Sequence, residues 1–223
     1  LWCFWGPIVR IRVLGSAAGG GFPQWNCGCS NCRGVREGTG RSAARTQESV
    51  AVSADGDRWF LLNCSPEIRS QIESFVGLHP KAPRHSPVDA IVVTNGDLDH
   101  TLGLLSLRES HPLVIYATER VRAGFTEGNV LYRTLERFPG QVTWRVLEPG
   151  REAPLAGADG RPSGLLIEAA AVPGKQPIHL EHHGAGDPRD NVGLQIRGAA
   201  TGRRLAYFPA AGELTADVRR ALG

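Results

Sequence analysis

The stretch VDAIVVTNGDLDHTLGLLSL, from Val88 to Leu107, limits what this chain can fold into more than any other. Its opening run, VDAIVVTN (88–95), is β-branched and almost continuously apolar. A strand carries that pattern when both of its faces are buried. Leu102, Leu105 and Leu107 then recur at helical spacing, so a buried strand runs through a short polar turn into a helix. A strand covered on both sides is a unit of layered α/β structure. The turn holds Asn95, Asp97, Asp99 and His100. Side chains at the carboxyl end of a buried strand are held rigidly while facing a cleft.

The rest of the chain supplies further layers. IVRIRVLG (8–15) alternates apolar and basic residues with a period of two, as a half-buried strand does. SVAVSADGDRWFLLNCS (49–65) reads as a hairpin around a DGD turn. SPEIRSQIESF reads as a helix with Ser65 as N-cap and Pro66 at its first position. Further strands are expected in HPLVIYAT, QVTWRVL (141–147), LLIEAAAV (165–172), NVGLQIRG (191–198) and RRLAYFPA (203–210), the last two forming a hairpin around ATG. Hairpins at both ends and strand–helix–strand alternation between them predict mixed sheets in one domain spanning residues 1–223. The segment from Pro173 to Asp190, rich in Gly, Pro and His, reads as an irregular loop.

Three clusters could carry chemistry. Cys27, Cys29 and Cys32 form a C-x-C-x-x-C run behind the glycines of GSAAGGGFPQWNCGCSNCRG. Thiolates so spaced on a loop can converge on Zn²⁺, with Cys64 or a histidine as a candidate fourth ligand. A thioredoxin-like dithiol fits less well, because that motif opens a helix and this segment is full of turn residues. The second cluster is the turn itself. Asp99 and His100 offer an oxygen and a nitrogen to one ion, against the plainer alternative that Asp99 caps the helix. The third is HLEHHGAGDPRDN, with His179, His182, His183, Asp187, Asp190 and Asn191, either a solvated loop or a wall of the same cleft. No G-x-S-x-G, G-x-G-x-x-G or Walker spacing is present, which disfavours serine-hydrolase and nucleotide-loop readings.

Composition excludes several classes. With 25 basic against 22 acidic residues the net charge is only +3, and the arginines are scattered, so no nucleic-acid partner is expected. No apolar run reaches the roughly 20 residues of a membrane span. LWCFWGPIV lacks the basic lead and small-residue cleavage site of a secretion signal. Five cysteines, three of them clustered, without such a signal point to metal or reactive thiols in a reducing compartment, hence the cytoplasm. The chain begins at Leu1 and contains no methionine, as expected either of termini that are not those of a complete product or of an alternative start at Leu1.

Taken in order, VLGSAAGGGFPQWNCGCSNCRG, SAARTQESVAVS, LLNCSPEIRSQI, VVTNGDLDHTLGLLSLRE, DNVGLQI and TGRRLAYFPAAGE resemble the PqqB family of the metallo-β-lactamase superfamily, from about Val9 to Glu213. The resemblance implies an αββα sandwich, a structural zinc on Cys27, Cys29 and Cys32, and a second metal, Fe(II) or another divalent ion, at Asp99 and His100. It implies catalytic roles for Asp99 and His100 in an iron-dependent oxygenase. That enzyme would hydroxylate the tyrosine ring of a cross-linked glutamate–tyrosine precursor of pyrroloquinoline quinone. A carrier of the quinone or its precursor and a metal-dependent hydrolase are the alternative activities, and a homodimer is a candidate assembly. The superfamily's H-x-H-x-D-H motif would place histidines at 95 and 97, where this chain has Asn95 and Asp97. Asp97 becomes an added candidate ligand. Chains of the family continue past the position of Gly223 with a further metal-binding histidine. The fold is therefore expected to be incomplete at its C-terminus, with His182 or His183 as substitute. His182, His183, Asn191 and Arg108 are the expected substrate-binding residues.

Overall fold

The computed structural model describes residues 9–109, 111–177 and 185–222. Two sheets face each other. In the first, β1 (Arg10–Gly15), β2 (Ser49–Ser53) and β3 (Trp59–Leu62) pair antiparallel. β4 (Val88–Val92), β5 (Leu113–Ala117) and β6 (Val142–Val146) then continue in parallel from β3. The second sheet is antiparallel throughout and contains β7 (Ala153–Ala156), β8 (Pro162–Ala171), β9 (Val192–Gly198) and β10 (Arg204–Tyr207), in the order β10-β9-β8-β7. Helices α1 (Ser30–Glu37), α2 (Ile68–Glu73), α3 (Leu98–Thr101), α4 (Gly103–Ser106) and α5 (Glu119–Gly128) follow the strands of the first sheet, and α6 (Ala216–Leu222) follows the second. This is the mixed-sheet α/β sandwich the sequence predicts, and none of its described helices is long and apolar enough to cross a membrane.

Alternation within single strands sorts the two apolar layers. Val50, Val52, Phe60, Leu62, Ala90, Val92, Val114 and Tyr116 point toward the second sheet and meet Leu165, Ile167, Leu194 and Ile196. Their neighbours Ala51, Trp59, Leu61, Ile91, Val93, Leu113 and Ile115 point the other way, against Ile68, Leu104, Val121 and Phe125 of the helices. Burying one such aliphatic side chain is worth about 1.5–3 kcal/mol. A run apolar at every position, such as AIVV, is what a strand between two layers requires.

The helical pattern after β4 divides into two single turns, α3 and α4, because Gly103 must pack directly on the end of β3. The Cys64 N–H donates to the His100 carbonyl at 2.7 Å, and the Gly103 N–H donates to the Cys64 carbonyl at 3.0 Å. A Cβ at Gly103 would stand 2.2 Å from the Ser65 carbonyl oxygen and 2.8 Å from Cys64 Sγ. This crossing also corrects the expected start of α2. Ser65 is fully buried beneath it, and the helix begins at Ile68 with Glu67 as its N-cap. The first β-hairpin turns at Gly56, with φ 86°, and the last closes through Gly202, with φ 67°. Helices α1, α5 and α6 and strand β7 lie where no element was expected.

Gly103→Ala is expected to destabilise the protein by about 1–3 kcal/mol, the usual cost of forcing an atom into a filled core. Denaturant unfolding measures it, and an unchanged midpoint would show that the crossing is more pliable than its contacts indicate.

Candidate functional site

The turn after β4 meets four other segments: the glycine loop after β1, the residue before β2, the end of β3, and the start of β9 with the end of β10. The two sheets are stitched together here, since Val192 N–H donates to the Thr94 carbonyl at 2.9 Å and Asn95 bridges to Asn191.

A chain of amides sets the state of His100. The Lys175 carbonyl can only accept, so the Asn191 group facing it at 2.9 Å is the NH₂. Asn191 Oδ1 therefore accepts from Asn95 Nδ2, at 3.0 Å. Asn95 Oδ1 must then be the acceptor for the Asp97 backbone N–H at 3.0 Å and for His100 Nδ1 at 2.7 Å. His100 thus carries its proton on Nδ1 and presents the lone pair of Nε2. Burial lowers its pKa against the opposing charges of Asp99 and Asp97, which keeps the ring neutral. Two carboxylates face Nε2: Glu48 Oε2 at 3.7 Å and Asp99 Oδ2 at 3.9 Å.

A second chain sets Glu48. The backbone N–H and the hydroxyl of Thr94 both donate to Asn63 Oδ1, at 2.9 and 3.1 Å. This turns Asn63 Nδ2 toward Glu48 Oε2, at 2.9 Å. The Tyr207 hydroxyl donates to the other oxygen, Oε1. Asn63 is fully buried with φ 59°, a left-handed conformation that asparagine tolerates better than most residues. Burial drives the Glu48 pKa up to about 7, Asn63 opposes that shift, and the Asp99 charge adds to it. The main chain at Gly19 runs close beside the pair, where a Cβ would stand 3.4 Å from Asp99 Oδ2, in ordinary van der Waals contact.

Of the residues expected here, Asp99 and His100 come together at the cleft. Asp97 is the N-cap residue of α3, and its Oδ2 accepts from Asn95 Nδ2, which ties it to the amide chain. Asn191 is not a substrate group: it is 4% exposed and both ends of its amide are bonded inside the protein. Arg108 is misplaced as well. It lies past α4, where Gln141, just before β6, bonds its carbonyl, at the end of the sheet opposite the β4 turn, and its guanidinium caps the Leu105 carbonyl. His182 and His183 lie outside the described residues. Cys64 cannot be the fourth zinc ligand, for it is fully buried in the layer beneath the helices and burial raises its thiol pKa steeply. Glu48, Asn63 and Tyr207 were missed. The signal for Glu48 was present: period-two alternation puts it on the same face as Val50 and Val52, the face of the inter-sheet core.

The cysteines form the other cluster. Cys27, Cys29 and Cys32 offer sulfurs all within 4.8 Å of one another, the single such group of three potential ligands among the described residues. Contrary to expectation, Cys29 is the N-cap of α1, so Cys29-Ser-Asn-Cys32 does open a helix. The Cys32 backbone N–H and then the adjacent thiols hold the Cys29 pKa down to about 7. Arg36 fixes the loop by donating to the Cys27 and Gln24 carbonyls, both at 2.6 Å. Three convergent sulfurs, one readily ionised, fit a structural zinc better than a dithiol pair.

A family model for the β-lactamase superfamily domain matches residues 58–223. The coenzyme PQQ synthesis protein B of Methylococcus capsulatus is 43% identical over 214 residues, which cover 95% of this chain and 69% of that protein. Its namesake from Ectopseudomonas mendocina is 42% identical over 213 residues, covering 92% and 67%. The chain belongs to the PqqB family. The crystal structure of Zn²⁺-bound PqqB from Methylobacterium extorquens matches with a TM-score of 0.83 at 39% identity, over 96% of this chain and 69% of that one. The residues of this family member suit a divalent ion at the β4 turn. A buried imidazole with its lone pair directed at two carboxylates is a mixed nitrogen and oxygen donor set.

Cys29→Ser is expected to remove one equivalent of zinc and lower thermal stability, which metal analysis and melting will show. For His100, ¹⁵N shifts should report the Nδ1–H form, and Asn95→Ala should abolish that preference. A wild-type protein in the Nε2–H form would break the amide-chain argument.

Proposed function

We propose that this chain acts in pyrroloquinoline quinone biosynthesis as a metal-dependent oxygenase in the cytoplasm. Its substrate would be a small peptide-derived precursor, and the reaction hydroxylation of the tyrosine ring in a cross-linked glutamate–tyrosine unit. The family's name supports the pathway. The observation that carries the metal-dependent reading is His100 Nε2, buried, unprotonated and facing Asp99.

In this reading Asp99 and His100 hold the active-site metal, with Asp97 as a further carboxylate at the turn. Bound Fe(II) would supply the redox chemistry by which dioxygen is activated. The protein's own part is positional. The Asn191–Asn95 pair keeps the His100 lone pair aimed into the cleft, as the outer partners of metal-binding histidines do. Asp99 lies against the glycine loop, where the main chain at Gly19 leaves no Cβ to crowd an incoming aromatic ring. The cysteine cluster follows that loop directly and, with zinc, would hold it in place.

The test is dioxygen uptake by the Fe(II)-loaded protein with the cross-linked precursor, followed by mass spectrometry for an added oxygen atom. Uptake with hydroxylated product, lost to background in His100→Ala and Asp99→Asn, is the expected result. Hydrolysis products without uptake would make the protein a hydrolase instead. Tight precursor binding without turnover would make it a carrier.

A further inference from the structure

We propose that Glu48 is itself a ligand of the active-site metal, bringing a carboxylate from the residue before β2 to the ion held by His100 and Asp99. This rests on the reading that His100 and Asp99 hold a metal.

Distance comes first. The 3.7 Å between Glu48 Oε2 and His100 Nε2 and the 3.9 Å between Asp99 Oδ2 and His100 Nε2 are both too long for hydrogen bonds. They suit neighbouring donors on one ion, which stand roughly 3–4 Å apart when each bond is about 2.0–2.2 Å. Asn95 Oδ1 holds Nδ1 as the donating nitrogen of the ring, which leaves Nε2 on the side of the two carboxylates.

Glu48 is also braced as a ligand would be. Its oxygens receive hydrogen bonds from Tyr207 and Asn63, and the amide orientation of Asn63 is dictated by Thr94. Those bonds enter from the core and leave Oε2 directed at His100. Such outer bonds orient ligating carboxylates and tune their basicity.

Burial supplies the third argument. The Glu48 side chain is 17% exposed, and its one ion-pair neighbour among the described residues is the imidazole of His100. No described arginine or lysine pairs with it. A buried carboxylate costs stability unless a cation or protons compensate it. If the residue were only a hydrogen-bonded core anchor for Tyr207 and Asn63, glutamine would serve without that cost. A dication between Glu48 and Asp99 turns their mutual repulsion into attraction. Among the described residues only the cysteines already lie within 4.8 Å of each other as a trio, so the two carboxylates must rotate inward on a shared ion.

Mn²⁺ tests this, because a hard ion favours oxygen and nitrogen donors over the thiol cluster. Its binding to this chain, with the cysteines zinc-loaded, can be followed by electron paramagnetic resonance of the free ion. Glu48→Gln should weaken Mn²⁺ binding about 10- to 100-fold while zinc content stays constant. Glu48→Asp, which keeps the charge but withdraws it by one methylene, should also bind Mn²⁺ more weakly. Should Glu48→Gln fail to fold, Tyr207→Phe frees one carboxylate oxygen and should weaken binding severalfold. Wild-type affinity in Glu48→Gln alongside lost binding in His100→Ala would overturn Glu48 as a ligand and leave the metal site standing. Wild-type affinity in Glu48→Asp with weak binding in Glu48→Gln would assign Glu48 to a remote charge effect, and the proposal would fall. Wild-type affinity in both Glu48→Gln and His100→Ala would overturn the metal site itself and the proposal with it.

Discussion

A backbone carbonyl accepts hydrogen bonds and never donates them, and at Lys175 this small fact decides which nitrogen of the His100 ring carries a proton. Each amide in the line to His100 has one orientation compatible with the one before it. The result is a lone pair where an ion or a proton would be needed, fixed without any charged residue touching the ring by a hydrogen bond. A second line, from the Thr94 backbone through Asn63, does the same for Glu48. Asparagine suits both tasks because it is a donor and an acceptor of fixed separation in one side chain.

Those lines can exist only because two sheets meet end to end at this point. β4 is buried from Ala90 to Val92, and the polar residues that follow the buried run begin at Thr94 and Asn95. β9 starts beside them, joined by the Val192–Thr94 hydrogen bond. The parallel arrangement of β3, β4 and β5 places their carboxyl ends, and therefore Asn63 and the Asp99–His100 turn, on one rim. The Cys64–His100 and Gly103–Cys64 bonds hold the turn down on that rim.

Much of this was legible in the sequence, and the reasons for the rest are physical. Strands and layers showed in AIVV, in SVAVS and in the last hairpin, because burial on one or two faces leaves a direct mark on residue type. Asp99, His100 and the cysteines stood out because residue types able to ligate a metal, when clustered in sequence, need no tertiary fold to be noticed. Glu48 did not, since a carboxylate beside a strand usually faces water, and only its parity with Val50 betrayed the core side. Asn191 and Arg108 were assigned to substrate by sequence proximity to the motifs. Burial consumed the hydrogen-bonding capacity of the first, and the return of α4 along the sheet carried the second away. Helix α1 was hidden by turn-forming residues, whose weak propensity the left-handed C-cap at Gly38 and the anchoring by Arg36 override.

The bond between Tyr207 and Glu48 spans 159 residues of chain. Closing so long a loop costs entropy that only the completed sandwich returns, so contacts of this kind form late in folding. The first sheet can assemble around β3 and β4 with Glu48 already in its layer, yet its carboxylate stays unbraced until the final hairpin docks. The carboxylate at this rim is thereby set in place only at the end of folding. A polypeptide still emerging from synthesis would present its thiols well before it could present a finished Glu48, Asp99 and His100 cluster.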